Sequence, residues 1–136
     1  GQIDERLRRD PRVVVMERVN ARYPFGLPES VDVATVDVSF ISLTAVLPSV
    51  VEHLRSGGHI IALVKPQFEA TREEADAGRG VIRDSVIHRR VVGEIIGFVE
   101  ERLAQAQLFG SMESPLKGAA GNVEFLLGWA KSESGV

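Results

Sequence analysis

VDVATVDVSFISL, residues Val31–Leu43, joins a strand-like apolar run to the beginning of a helical pattern. It begins as a β-branched apolar run, typical of a strand buried on both faces, and it ends in Asp37 and Ser39 before helical spacing begins. A second run of this kind, residues 60–68, contains Lys65 near its end. The carboxyl ends of neighbouring parallel strands meet at one edge of a sheet, where open α/β sheets bind ligands. We therefore expect Asp37 and Lys65 to lie side by side at that edge.

Composition bounds the class of protein. The 136 residues fit one domain, and the formal net charge of -3 provides no overall basic field for nucleic acid. There is no cysteine, and the three histidines are not at ligand spacing, so we expect no disulfide and no metal site. No apolar run approaches the roughly 18 residues of a membrane span, which predicts a cytoplasmic protein without a membrane partner. The first residue, Gly1, is not methionine, which indicates a fragment.

Apolar periodicity predicts strands that alternate with helices, followed by two consecutive strands. This order favours an α/β fold with a mostly parallel sheet and an antiparallel C-terminal strand pair. Pro48 lies inside one helical stripe, so that helix either kinks there or begins there. The predicted elements are helices at 2–9, 43–54 and from Ser85 to about 103, strands at 13–16, 33–38, 59–64, 107–113 and 123–130, and a loop at 69–85 with a helical turn at 71–77.

Four local motifs carry a family resemblance, and they occur in the family's order. They are VDVSFISL at 36–43, LVKPQFE at 63–69, GVIRD at 80–84 with His88, and SPL at 114–116 with GNVEFL at 121–126. Together they closely resemble the hemolysin A (TlyA) family of FtsJ-type RNA methyltransferases, from about Gly1 to Trp129. The resemblance implies a Rossmann-like S-adenosylmethionine-dependent methyltransferase sheet. Residues 1–130 would form the C-terminal portion of that domain and residues 131–136 a tail.

The resemblance also implies an activity and a set of site residues. The family transfers a methyl group from S-adenosylmethionine to a ribose 2'-hydroxyl of ribosomal RNA. FtsJ-type enzymes use a Lys-Asp-Lys-Glu set, and Asp37, Lys65 and Glu124 match its last three members. Asn20 matches a position near the cofactor adenine, and Asp37 and Ser39 are expected on the cofactor side of the same edge.

The chain departs from the family at its beginning. The glycine-rich cofactor loop, the acid for the cofactor ribose and the first lysine of the set all lie earlier than Gly1, which with Gln2 resembles the pair just beyond the second strand. The dense glycines at 78–80 and 118–121 do not join a strand to a helix. We therefore expect this chain alone to be inactive. The alternative is a non-catalytic α/β module that binds RNA or a partner.

Without its companion lysine, Lys65 would stand between Asp37 and Glu124, which favours an ion-paired ammonium over a general base. The simpler interpretations are a salt bridge at the sheet edge for Asp37 and Lys65, the polar face of an edge strand for Glu124, and a turn for Asn20. His88 is expected to be a capping or surface group. Five cations could meet RNA phosphates or form a solvated face: Arg79, Arg83, Arg89, Arg90 and Lys117.

Two strands of the family's sheet are missing between residues 13–16 and 33–38. Either residues 13–16 move in beside residues 33–38, or a second copy of the chain fills the gap. We expect one of these, an altered sheet edge or a homodimer, because an exposed apolar strand edge promotes aggregation.

Overall fold

The computed structural model describes residues 3–23 and 25–133. Gly1, Gln2 and the last three residues of the predicted tail lie outside the described residues. The helices are α1 Glu5–Arg8, α2 Leu43–His53, α3 Pro66–Glu69, α4 Arg72–Ala77 and α5 Ser85–Arg102, with a 3-10 turn at Ala119–Gly121. The strands are β1 Val31–Val36, β2 Leu54–Val64, β3 Ala106–Glu113 and β4 Phe125–Lys131.

The four strands form one sheet in the order β1-β2-β4-β3. β1 pairs with β2 in parallel, and β4 is antiparallel to both of its neighbours. The α/β class and the antiparallel C-terminal pair are confirmed. The expected predominance of parallel pairing is not found, since one of these three pairings is parallel. The reason is that β4 returns from β3 and inserts between β3 and β2.

The core lies between one face of the sheet and the helices α2 and α5. The strand residues on that face are almost completely buried, and they include Ala62, Val64, Leu127 and Trp129. α2 contributes a stripe at helical spacing, with Leu43, Val46, Leu47 and Val51 buried. Since the helices leave the opposite face open along much of the sheet, Ile61, Leu63 and Leu126 are only partly buried there.

Local capping fixes where the helices begin. The Ser42 side chain accepts from the Thr44 backbone N–H at the start of α2, which continues through Pro48 to His53. Asp84, and not Ser85, caps α5. In the predicted loop, Thr71 and Glu74 form a reciprocal capping box that starts α4, so the predicted turn at 71–77 is confirmed.

Two predictions near the ends of the chain are wrong. Residues 13–16 form no strand and Val14 is 72% exposed, because a β-branched run needs a paired neighbour for its backbone and this run has none. β1 therefore remains an edge of the sheet in the described part of the chain, and residues 13–16 do not move in beside it. Lys131 belongs to β4 and not to the tail, and its Nζ donates to the carbonyls of Val51 and Leu54 at the end of α2.

Candidate active site

Asp37 and Lys65 meet at the edge of the sheet. The parallel register ends with Val36 beside Ala62, so both residues follow directly on paired strands. Lys65 Nζ lies 2.7 Å from Asp37 Oδ1. The lysine side chain is 17% exposed and the aspartate side chain 61% exposed. The predicted adjacency is confirmed, and the pair presents a carboxylate to solvent above a mostly buried ammonium.

A second contact joins the segments that follow β1 and β2. Glu69 Oε1 accepts from the Leu43 backbone N–H at 2.8 Å, and Oε2 accepts from Ser42 Oγ at 2.9 Å. The carboxylate thus meets the N-terminus of α2, where the helix dipole favours negative charge. Burial raises the pKa of Glu69 above its ordinary value, and the two hydrogen bonds offset part of that rise. The two segments are therefore fixed relative to each other at both ends.

Phe40 is a candidate that the sequence alone did not single out. It lies three residues after Asp37 with φ of 63°, a conformation that costs a non-glycine residue about 1–2 kcal/mol. Its side chain is 88% exposed, and its ring centroid lies 4.7 Å from that of Phe68. Strain and an exposed aromatic ring together are typical of a binding position. The available sequence signal was an aromatic residue in the turn after a strand that ends in an acid.

Glu124 lies at the same edge, immediately before β4. The antiparallel register ends with Val64 beside Phe125, so its continuation brings Glu124 opposite Lys65. Glu124 is 5% exposed, and its Oε2 accepts from Gln67 Nε2 at 2.9 Å. The edge-strand interpretation is wrong because β4 lies between two strands and Glu124 is buried. No ion pair joins Glu124 to Lys65 among residues 3–23 and 25–133, so Asp37 is the carboxylate that pairs with Lys65 there.

Two other motif residues support the loops around Glu124. Asn122 is 2% exposed, its Oδ1 accepts from the Ile82 backbone N–H, and its Nδ2 donates to the carbonyls of Gly80 and Ala119. His88 Nε2 lies 2.7 Å from the Ile82 carbonyl oxygen. The prediction of His88 as a capping or surface group is wrong, because its helix turns it towards the sheet and buries it.

The residues predicted to bind the cofactor are not gathered into one pocket. Asn20 is exposed, and its Oδ1 accepts from the Arg22 backbone N–H at 3.0 Å. This hydrogen bond agrees with the simpler interpretation of Asn20 as a turn residue. Ser39 is also exposed. Three cavities of about 280, 380 and 470 Å³ lie on the open sheet face, between α5 and β3, and beside the end of α2. None of these three is lined by Asn20, Asp37 or Ser39.

The predicted cations divide into two groups. Arg90 Nη1 donates to Glu74 Oε2 at 2.7 Å, and Arg90 also pairs with Glu94, so its charge is already neutralised. Hydrogen bonds from Arg90 lower the pKa of Glu74 to about 2. The remaining cations are exposed and form no ion pair within the described residues: Arg79, Arg83, Arg89 and Lys117.

Residues 3–23 and 25–133 contain no cluster of three or more histidine, aspartate or glutamate side chains that could hold a metal ion. None of their helices combines the length and the hydropathy that a bilayer crossing requires.

The sequence model of the FtsJ-like methyltransferases matches residues 1–131. The chain belongs to this family. Among FtsJ-like relatives, YqxC of Bacillus subtilis, named as a candidate rRNA methyltransferase, is 44% identical over 135 residues, covering 93% of this chain and 45% of the relative. The 16S/23S rRNA (cytidine-2'-O)-methyltransferase TlyA of Mycobacterium tuberculosis is 40% identical over 136 residues, covering 98% of this chain and 49% of TlyA.

A solved structure agrees with the family assignment. A candidate hemolysin from Streptococcus thermophilus superposes with a TM-score of 0.89 at 39% identity, covering 98% of this chain and 48% of that chain. This FtsJ-like chain therefore spans about half the length of the relatives that it matches. The resemblance seen in the four sequence motifs is confirmed at the level of the family.

Proposed function

We propose that this chain is the RNA-facing half of an S-adenosylmethionine-dependent rRNA ribose 2'-O-methyltransferase that acts in the cytoplasm. One observation carries the proposal. The ion pair of Asp37 and Lys65 lies at the carboxyl edge of the parallel strands β1 and β2, and the buried Glu124 lies opposite Lys65 in the register of β2 and β4. These three residues match the catalytic set that the sequence resemblance implies.

The chemistry assigned to these side chains is the orientation of a ribose hydroxyl. A 2'-hydroxyl is a poor nucleophile, and it must lose its proton as it attacks in line. S-adenosylmethionine supplies an electrophilic methyl group on a sulfonium. Lys65 can donate to the 2'-oxygen, and the exposed Asp37 carboxylate accepts from the hydroxyl and receives its proton as the oxygen attacks, so the pair fixes the direction of the oxygen lone pair. Because Asp37 holds Lys65 in an ion pair, we assign Lys65 an orienting role and not that of the base.

The surface around the pair suits single-stranded RNA. Phe40 offers an exposed ring within three residues of Asp37, and stacking of a base on such a ring contributes about 1–3 kcal/mol. Arg79, Arg83 and Lys117 are exposed and unpaired within the described residues, which leaves them available for phosphates. An exposed aromatic ring three residues from Asp37 is a contact that a nucleotide flipped towards Lys65 would need.

The methyl donor requires more than these residues. Asp37 and Ser39 are assigned to its near side and Asn20 to its adenine, but no glycine-rich turn joins a strand to a helix in residues 3–23 and 25–133. We therefore infer that this chain alone does not transfer methyl groups. The missing contacts correspond to the half of the relatives' length that this chain does not match.

A chimera tests this proposal. The chain is substituted for the matching segment of TlyA, and tritiated methyl transfer to ribosomal RNA is measured for the chimera, unmodified TlyA and the chain alone. We expect the chimera to methylate ribose, the chain alone to be inactive, and Lys65→Met to lower the chimera's rate by about 100-fold or more. A folded chimera without activity, or one that is indifferent to Lys65→Met, would contradict the assignment.

The second candidate is a non-catalytic module that binds RNA or a partner. The absence of a strand–glycine turn–helix unit from the described residues favours it. It predicts that the chain alone binds ribosomal RNA fragments as tightly as the chimera does, and that the chimera stays inactive.

The predicted homodimer is a separate expectation. The open edge of β1 would pair with a second copy of the chain, and sedimentation equilibrium of the chain would detect the dimer.

A further inference from the structure

We propose that Gln67 is a positioning residue, whose carboxamide fixes the Glu124 carboxylate beside Lys65. The inference rests on the proposed function, and it assigns a role in that reaction to a residue outside the Lys-Asp-Lys-Glu set. The contact that carries it is the hydrogen bond from Gln67 Nε2 to Glu124 Oε2, 2.9 Å long and joining residues 57 apart in the sequence.

The short helix α3 ties Gln67 to the catalytic lysine. Lys65 is the N-cap of α3, and the buried Pro66 occupies its first turn. Proline fixes the backbone there, so the turn that orients Lys65 also orients Gln67. α3 also packs against α5, which anchors it to the helical layer. A displacement of Gln67 is therefore coupled to Lys65 through one rigid turn.

Burial makes Glu124 depend on its hydrogen-bond donor. The residue is 5% exposed, and no cation pairs with it in the described part of the chain. A buried carboxylate is stable only where donors replace its lost hydration. Gln67 contributes such a donor from the amide end of its side chain. Its oxygen end would repel the carboxylate, so the orientation of the carboxamide is determined.

A glycine bounds the same carboxylate oxygen that accepts from Gln67. A Cβ on Gly118 would lie 1.9 Å from Glu124 Oε2 and 2.5 Å from Cδ. The carboxylate therefore occupies the space that a side chain at position 118 would take. Gly118 and Gln67 together leave Glu124 little freedom to rotate.

The other end of Gln67 is unsatisfied. Gln67 Oε1 is buried and has no hydrogen-bond partner among residues 3–23 and 25–133. A glutamine that served only packing would be expected to satisfy both ends of its carboxamide. The orientation that directs Nε2 at Glu124 leaves Oε1 on a side where the described residues offer no donor.

Steady-state kinetics of the TlyA chimera test the role. Gln67→Met keeps the length of the side chain and removes the hydrogen bond, and we expect kcat to fall about 10- to 100-fold with KM for RNA unchanged. Gln67→Glu places two carboxyl groups together, which can share one proton at low pH. Its kcat, relative to that of the unmodified chimera, should therefore rise as the pH falls from about 8 to about 6.

The control is Gln107→Met, because the Gln107 side chain is exposed and donates to the Ala104 carbonyl. It should leave kcat unchanged. A Gln67→Met chimera with kcat within twofold of the unmodified chimera overturns the proposal, as does a Gln67→Glu ratio that does not change with pH. If Gln67→Met does not fold, the pH dependence of the Gln67→Glu kcat, relative to that of the unmodified chimera, still tests the proposal.

A measurement on this chain alone separates this proposal from the proposed function. In NMR spectra, the Gln67 side-chain amide protons should exchange slowly with solvent, and Glu124→Ala should abolish that protection. The exposed amide of Gln107 serves as the internal reference. An inactive chimera would overturn the methyltransferase assignment, whereas unprotected Gln67 amide protons would overturn the contact itself.

Discussion

Gly118→Ala isolates the packing of Glu124 with little else changed. The glycine has φ of -84° and ψ of -166°, which alanine adopts without strain. The added Cβ would lie 1.9 Å from Glu124 Oε2, whereas ordinary van der Waals contact begins at 3.4 Å. The carboxylate must therefore move by about 1.5 Å, and its 2.9 Å hydrogen bond from Gln67 breaks.

The magnitude follows from two opposing contributions. Loss of a hydrogen bond to a charged group costs about 1.5–3 kcal/mol. Replacement of glycine by alanine lowers the entropy of the unfolded chain and stabilises by about 0.4–1 kcal/mol. We expect a net loss of about 1–2 kcal/mol in the free energy of unfolding. The matched control is Gly93→Ala in α5, where a Cβ meets nothing within 4 Å and should stabilise by about 0.5–1 kcal/mol.

Urea unfolding followed by tryptophan fluorescence measures both variants. Trp129 is the single tryptophan of the chain and is 1% exposed, so its emission reports directly on loss of the core. Relative to the unmodified chain, the free energy of unfolding should fall for Gly118→Ala and rise for Gly93→Ala. If Gly118→Ala is as stable as Gly93→Ala, the Glu124 carboxylate is not confined by its packing against Gly118.

Three further predictions concern other parts of the chain. Phe40→Gly should be more stable than Phe40→Ala by about 1 kcal/mol in urea unfolding, because both lose the ring but only glycine relieves the positive φ; equal stabilities would exclude strain at this position. Lys131→Met should lower the free energy of unfolding by about 1–3 kcal/mol, because it removes two hydrogen bonds at the end of α2. Lys117→Met on the exposed loop should leave that free energy almost unchanged, and equal losses in the two variants would contradict the capping role of Lys131. Arg90 lowers the pKa of Glu74 to about 2, so the stability advantage of the unmodified chain over Glu74→Gln should grow as the pH rises from about 2 to 4.5. Thermal unfolding across that pH range measures the difference in stability, and a difference that does not change with pH would contradict the ion pair.

The sequence was sufficient for the features that depend on local pattern. Residues that follow two parallel strands must share a sheet edge, so the meeting of Asp37 and Lys65 could be predicted from two apolar runs and their ends. Helical spacing likewise predicted α2 and α5, whose apolar stripes face the sheet. These inferences need no knowledge of distant contacts.

Features that depend on distant contacts could not be predicted in this way. Gln67 and Glu124 are 57 residues apart, and neither segment contains a sequence pattern that predicts the contact between them. Asn122 similarly holds a loop 40 residues earlier in the chain. Residues 13–16 have strand propensity without a strand to pair with, so propensity failed there. The exposure of Phe40 follows from a backbone conformation that its residue type does not indicate.

Calorimetric titration of this chain with S-adenosylhomocysteine measures whether the chain alone forms a cofactor site. The central claim is that the chain supplies the RNA-facing side of a methyltransferase site and only one side of the cofactor site. It predicts no binding by a chain that unfolds cooperatively, and binding by the TlyA chimera under the same conditions. Micromolar binding by the chain alone would contradict the claim, because Asn20, Asp37 and Ser39 would then belong to a complete cofactor pocket.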